Sequence, residues 1–360
     1  MKNTFGNSIS ITIFGESHGD SVGAVLDGMP AGIEVDTDFI KLRLDMRRPS
    51  GSISTARAES DNFKIVSGVF NGRTCGTPIT IIIPNENTRS RDYDYGKARP
   101  GHADYTAFVK YGGYEDYRGG GHFSGRITAA MVAAGALAVK ALEKKGIKIA
   151  THISECAGVR DRGFENTDSD FEKLNSSYFA VLDDSAGERM QEEILKAKND
   201  GDSVGGILET VIDGMPAGVG EPWFDSVESI LAHAMFSVPA VKGVEFGDGF
   251  ALAKMRRSAA NDPLRVADGK IITSKNSNGG INGGITNGMP IVMRTVIKPT
   301  ATIFTEQETV DFIKNENTLF KASGRHDPCI VHRARIVADS VCALALTDLL
   351  AERFGGLWLR

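Results

Sequence analysis

Apolar residues recur along this chain with two periods, and glycine-rich stretches separate the periodic segments. Alternating or continuous β-branched runs predict strands near 8–14, 22–27, 64–70, 78–83, 150–156, 204–212, 242–246 and 289–297. Helical spacing predicts helices at 37–47, 125–144, 188–199, 225–236, 306–315 and 335–353. The segments starting at 125 and 335 are apolar on most faces, which predicts that both are buried between sheet layers.

One pattern occurs twice. "GDSVGAVLDGMPAG" begins at Gly19 and "GDSVGGILETVIDGMPAG" at Gly201; they agree at both ends and differ by a four-residue insertion. Each runs from a glycine turn through an apolar strand and a Gly-Met-Pro turn into a capped amphipathic segment. A fainter copy, "GGITNGMPIVMR" at 283–294, predicts strand, turn and strand without the helix. No Pro- or Ser-rich linker divides the chain. The expected architecture is α+β, one domain over 1–360, with repeat halves at roughly 1–150 and 190–360.

Composition narrows the function. The 360 residues are ample for a large core, and 41 glycines suit loops that approach a ligand closely. A net charge of -5 argues against general nucleic-acid binding, although a local basic pocket is compatible with it. The cysteines, Cys75, Cys156, Cys329 and Cys342, form no CxxC pair, which points to a reducing cytoplasm. The longest apolar run, Ala129–Val139, is shorter than a bilayer requires, so no membrane segment is expected.

Four stretches concentrate candidate chemistry. "FGESHGDSVG" brings Ser17 and His18 to a strand end, where side chains reach a cleft, though a solvent-facing turn histidine fits equally. "RLDMRRPSGSISTARAESD" carries Arg43, Arg47, Arg48 and Arg57; helix capping accounts for one or two, and an anion clamp for the set. In "RPGHADYTAFVKYGGYEDYRGGGHFSGRITAA", His102 is a candidate acid or base, and glycines run directly into a helix start that favours an anion. Its spacing fits neither a P-loop nor a dinucleotide fingerprint. Tyr105, Tyr111, Tyr114 and Tyr117 can stack on a planar ring or simply pack. The last group is "NGGINGGITNGMPI", "IKPTATI" and "GRHDPCIVHRAR". A metal on His326, Asp327, Cys329 and His332 is conceivable, but the spacing matches no common zinc pattern and three arginines oppose a divalent ion. In such a positive site Asp327 is expected to have a low pKa. Together these stretches describe a pocket for a small polyanion with acid–base groups inside it, and they do not name the reaction.

Taken in order, "GESHG", "DGMPAGI", "RRP", "SGVFNGRTCGTPI", "RPGHADYT", "DYRGGGHFSGR", "VPAVKGVEFGDGF", "GGINGGITNGMPI", "IKPTATI" and "GRHDPCIVHRA" closely resemble the chorismate synthase family almost end to end. The resemblance implies a lyase converting 5-enolpyruvylshikimate 3-phosphate to chorismate and phosphate by 1,4-anti elimination, the last step of the shikimate pathway. It implies reduced FMN, whose electron-rich ring helps expel the allylic phosphate and accepts the C6 hydrogen. It further implies a β-α-β sandwich with a pseudo-twofold, a cytoplasmic homotetramer, and NADPH as a reductant in some members.

By the same resemblance His18 protonates the leaving phosphate, His102 lies near flavin N1 and O2, and Asp327 keeps flavin N5 ready for the hydrogen. Ser17, Arg48, Arg57, Arg99, Ser124, Arg126 and Arg325 correspond to the substrate clamp. Flavin contacts fall on His122, Phe123, Ser124, Pro239, Ala240, Gly283, Lys298, Pro299, Thr300, Ala301, Thr302 and Arg325, and a nicotinamide role on Arg47. No metal is implied. Departures are His122, Phe123 and Ile127 where many members have Arg, Ser and Glu, His332 where a proline or small residue is common, and Ile53 in place of an arginine. His332 is then expected to stand behind the site, and His326 to position Asp327.

Overall fold

The computed structural model describes residues 2–55, 59–88, 95–322 and 327–360. The first half contains β1 (Thr4–Phe5), β2 (Ser10–Gly15), β3 (Ser21–Asp27), α1 (Thr37–Arg47), β4 (Lys64–Ser67), the small hairpin β5 (Val69–Phe70) and β6 (Arg73–Thr74), β7 (Ile79–Pro84), α2 (Asp104–Tyr111) and α3 (Thr128–Glu143). There follow β8 (Lys148–Cys156), β9 (Val159–Arg160), α4 (Thr167–Ser176), α5 (Asp184–Asn199), β10 (Gly206–Asp213), α6 (Val227–Phe236), β11 (Val241–Phe246) and α7 (Arg257–Ala260). The chain ends with three hairpin pairs, a single strand and a helix: β12 (Leu264–Ala267) with β13 (Lys270–Thr273), β14 (Ile281–Asn282) with β15 (Ile285–Thr286), then β16 (Ile291–Ile297), β17 (Gln307–Asp311) with β18 (Glu316–Phe320), and α8 (Val331–Phe354).

Two five-stranded antiparallel sheets carry the fold, in the orders β1-β2-β3-β7-β4 and β11-β16-β10-β8-β9. The two repeated segments occupy the same place in each. One feeds β3 into α1, with Asp36 as N-cap; the other feeds β10 into α6, with Ser226 as N-cap. Both sheets then place the strand before the repeat, the repeat strand and the two later strands in the same lateral order: β2-β3-β7-β4 and β8-β10-β16-β11.

Helix α3 packs on the first sheet, α8 on the second, and the two helices pack on each other. Gly135 permits the crossing, because a Cβ there would fall 2.4 Å from Cβ of Ser340. The apolar stretch Gly125–Glu143 is long enough to span a bilayer, but 89% of it is buried inside the protein, as befits a core helix.

Several expected elements change. Residues 306–315 are not a helix: "QETVD" forms β17, with alternating burial, and turns back into β18 with Asn315 at φ +56°. The predicted strand at 64–70 breaks at Gly68, whose φ of +83° separates β4 from β5. Helix α8 begins at Val331, four residues earlier than its apolar pattern suggests, and α5 begins at Asp184 behind the cap Asp183. The short helices α2 and α4 carry few buried residues, only Ala107 in the first and Asp170, Phe171 and Leu174 in the second, so their periodicity is faint.

Candidate active site

A cavity of about 1020 Å³ opens where the end of β2, the glycine turn 118–125, the loop before α2 and the ends of β11 and β16 meet the N-terminal turn of α8. Its described lining holds ten Lys and Arg residues against five Asp and Glu, so the local charge opposes that of the whole chain. Such a surplus favours a polyanionic occupant.

The glycine turn is the centre of the geometry. Gly119, Gly120 and Gly121 have φ of +62°, +84° and +53°, a left-handed run that side chains disfavour. Space requires glycine as well: a Cβ on Gly119 would lie 2.3 Å from the ring of His18, one on Gly120 3.0 Å from the ring of His102, and one on Gly121 1.9 Å from the Asp116 carbonyl. The turn is bolted to β2, since Ser17 N–H donates to Gly121 O at 3.0 Å and His122 Nδ1 donates to Gly15 O at 2.8 Å. The two histidines, 84 residues apart in sequence, therefore flank one backbone loop at the cavity wall. Ser17 is fully buried beneath Gly119 and does not line the cavity.

His102 and Arg99 share Asp104, at the first turn of α2. Arg99 donates to both carboxylate oxygens, at 2.8 and 2.6 Å, and His102 Nδ1 lies 2.8 Å from Oδ1. Burial opposes the charged carboxylate, yet the hydrogen bonds from Arg99 and His102 outweigh it and hold its pKa well below the usual range.

Beyond the glycine turn, Asp61 sits buried between Arg47 and Arg126, paired with the first at 2.9 Å and with the second in a short contact. Burial disfavours its charge, but the two guanidinium groups win and lower its pKa. Arg126 also donates to Asn85 Oδ1 and Pro84 O, so this expected clamp residue spends much of its donor capacity on the framework while its edge borders the cavity. Ser124 Oγ accepts from Arg126 N–H and caps the turn that leads into α3. Arg48, partly exposed, pairs with Asp45 and lines the cavity, whereas Arg43 is taken into the core by Asp339.

The stretches 239–240 and 298–302 are joined by the pairing of β11 with β16, with Lys298 N–H donating to Ala240 O at 2.9 Å. Ala240 holds a strained φ of +74° there. Lys298 Nζ donates to Gly101 O, linking this wall to the His102 loop. Pro239, Ala240, Lys298, Pro299, Thr300, Ala301 and Thr302 all line the cavity, as do His122 and Phe123. Gly283 does not; it lies in the β14–β15 turn, away from the lining.

Asp327 closes the floor, paired with Arg333 on the first turn of α8. Contrary to the low pKa expected from its cationic surroundings, burial raises it, and Arg333 offsets this only in part. Desolvation, invisible to charge counting along the sequence, decides the sign. Arg57, Arg325 and His326 lie outside the described residues. The metal alternative loses its ligands to other partners: Cys329 Sγ lies 3.8 Å from Cys156 Sγ in the core, and His332 Nε2 is bonded to Ser54 Oγ at 2.9 Å. Burial pushes the His332 pKa down to about 3, so it stands behind the site as a neutral packing group. Asp61, Asp104, Asn85 and Arg333 were not singled out as site residues from sequence; only Asp104 carried a signal, two positions after His102 in the same motif.

Of the expected stacking tyrosines, Tyr114 is exposed, Tyr117 packs against Tyr95 with the rings tilted at 4.7 Å, and Tyr111 meets Phe123 edge-on at 6.1 Å.

The family model described as chorismate synthase matches residues 9–351. Chorismate synthase of Korarchaeum cryptofilum is 47% identical over 355 residues, covering 98% of both chains. That of Thermococcus kodakarensis is 46% identical over 97% of both, and that of Dehalococcoides mccartyi 44% identical over 97% of this chain and 96% of its own. A crystal structure of chorismate synthase aligns with a TM-score of 0.76 at 29% identity, covering 97% of this chain and 94% of that one. With sequence, family model and fold agreeing over nearly the whole length, this chain belongs to the chorismate synthase family.

Proposed function

We propose that the cavity takes 5-enolpyruvylshikimate 3-phosphate and reduced FMN together and releases chorismate and inorganic phosphate by 1,4-anti elimination. The observation that carries this reading is the glycine turn packed between His18 and His102 at the wall of a cation-rich cavity. A substrate bearing phosphate and carboxylates matches that charge, and a volume of about 1020 Å³ is ample for two small molecules.

The lining fits a flavin mononucleotide. Thr300 presents a buried hydroxyl that has no partner among the described residues, beside Lys298, and these suit a phosphate or ring oxygen. Pro239, Ala240 and Phe123 supply apolar surface, and His122, anchored through Nδ1, leaves Nε2 for a ligand. When bound, reduced FMN supplies an electron-rich ring that assists departure of the allylic phosphate and takes up the C6 hydrogen.

The chain's own groups orient, neutralise and move protons. His18 protonates the departing phosphate, His102 would supply a proton to a bound reduced flavin, and Asp327, whose proton affinity burial increases, is the base. Arg48, Arg99 and Arg126, with Arg57 and Arg325, neutralise the phosphate and carboxylates, and Ser17 supports His18 from below.

We further take the enzyme to be one domain with halves related by a pseudo-twofold, forming a β-α-β sandwich; the equal strand orders support it. A cytoplasmic homotetramer agrees with the reading, and the exposed Trp223 and Phe224 offer such an assembly apolar surface to cover. NADPH is the proposed physiological reductant, with Arg47 its candidate contact, although Arg47 is engaged by Asp61.

The test is an anaerobic assay of phosphate release with photoreduced FMN, repeated aerobically with NADPH alone. Turnover in the first but not without reduced flavin is expected; activity with oxidised flavin or none overturns the reading. The aerobic arm decides whether the chain reduces its own flavin.

A further inference from the structure

We infer that Asp104 is the positioning residue of the His102 side of the site: it accepts the Nδ1 proton of His102, presents Nε2 at the Gly120 wall, and locks Arg99 in the same contact. The inference deepens the proposed function, since it rests on His102 acting in the cavity.

The hydrogen-bond inventory selects the tautomer. His102 Nδ1 lies 2.8 Å from Asp104 Oδ1 and 3.1 Å from Arg99 NH2, and it cannot both donate to the first and accept from the second. Arg99 NH2 already donates to Asp104 Oδ1 at 2.6 Å. An ionised carboxylate takes only donors, so Nδ1 carries a proton and Nε2 is the nitrogen left to face the cavity. Nε2 is the nitrogen on the side of Gly120, where an added Cβ would meet it at 3.1 Å.

Asp104 is itself held rigidly. It accepts from the Arg99 backbone N–H at 2.9 Å and from Arg99 Nε at 2.8 Å, and it stands on the first turn of α2, where the helix dipole favours a carboxylate. One side chain thus fixes the imidazole's orientation and the guanidinium's plane, an arrangement that costs no reorganisation during the reaction.

Asp104→Asn tests this. Ring nitrogens of ¹⁵N-histidine-labelled protein are recorded over about pH 5 to 8, the range in which imidazole changes charge, with His102 assigned by its loss in His102→Asn. In the parent protein Nδ1 should give the protonated, pyrrole-like signal. In Asp104→Asn the population should move toward the Nε2–H tautomer, with kcat reduced by about 10²-fold or more. Asp104→Glu, which keeps the charge, should recover part of both. An unchanged His102 spectrum in Asp104→Asn overturns the inference, whatever the rate does. His102→Ala keeps the two readings apart: normal turnover there removes His102 from catalysis, while the tautomer measurement still decides the role of Asp104.

Discussion

The imidazole of His18 rests directly on the backbone of Gly119, so closely that a single added methyl would fall 2.3 Å from Nδ1. Gly119→Ala therefore displaces the ring, and the left-handed φ of +62° adds strain. Turnover should fall by about 10²-fold, because misplacing a reacting group by about 1 Å costs that much. Gly163→Ala, exposed, outside the cavity lining and with open space around its Cβ, is the control and should stay near the parent rate. Steady-state phosphate release on both variants checks this, and equal rates would show that His18 need not sit where it does.

Asp61 pairs with both Arg47 and Arg126, and all three side chains are buried. Asp61→Asn removes the carboxylate charge that the two buried guanidinium groups share. Stability should drop by about 3–5 kcal/mol, the usual cost of removing one side of a buried ion pair. Urea unfolding measures it; a loss below about 1 kcal/mol, the range of exposed pairs, would mean that water enters the cluster.

The Asp327 carboxyl is raised by burial and lowered by Arg333. As a base it works only when ionised, so activity should be lost as pH falls toward a value above the ordinary carboxylate pKa of about 3.9. Arg333→Leu removes the lowering influence and should move that acid limb upward by about one to three pH units. The pH dependence of kcat in the two proteins decides it, and a limb that stays put takes Asp327 out of the rate-limiting proton balance. Asp327→Asn should abolish most turnover while leaving FMN bound.

Away from the site, His152 is buried between Asp161, at 2.7 Å, and Glu209, at 3.2 Å. Burial disfavours the imidazolium, but the hydrogen bonds to the two carboxylates outweigh it and raise the His152 pKa, while Asp161, opposed by burial and favoured by His152 and two backbone N–H groups, is lowered. Both contributions are complete between the unfolded values of about 3.9 and about 6.5. That of His152 fades as pH rises through its raised pKa, and that of Asp161 fades as pH falls through its lowered one. Thermal unfolding should therefore show a midpoint that declines on the alkaline side, and His152→Gln should flatten that decline while costing about 1–3 kcal/mol. An identical slope in the variant would assign the pH dependence to other groups.

What the sequence determined by itself is what periodicity and local chemistry encode. The repeated strand, Gly-Met-Pro turn and helix are legible because each signal lies within about twenty residues, and the two apolar helices declare their burial by lacking a polar face. The motifs likewise mark His18, His102 and the glycine turn as chemistry. Tertiary structure decided the rest. It set β17 where a helix was expected, because its edge pairing with β18 outweighs a weak helical period. It chose Asp61 as the partner of Arg126 across 65 residues, Asp104 rather than a distant acid for His102, and Arg333 for Asp327. It also reversed the expected direction of the Asp327 pKa. Partner choice and desolvation depend on the path of the whole chain, and no local pattern of residue types records them.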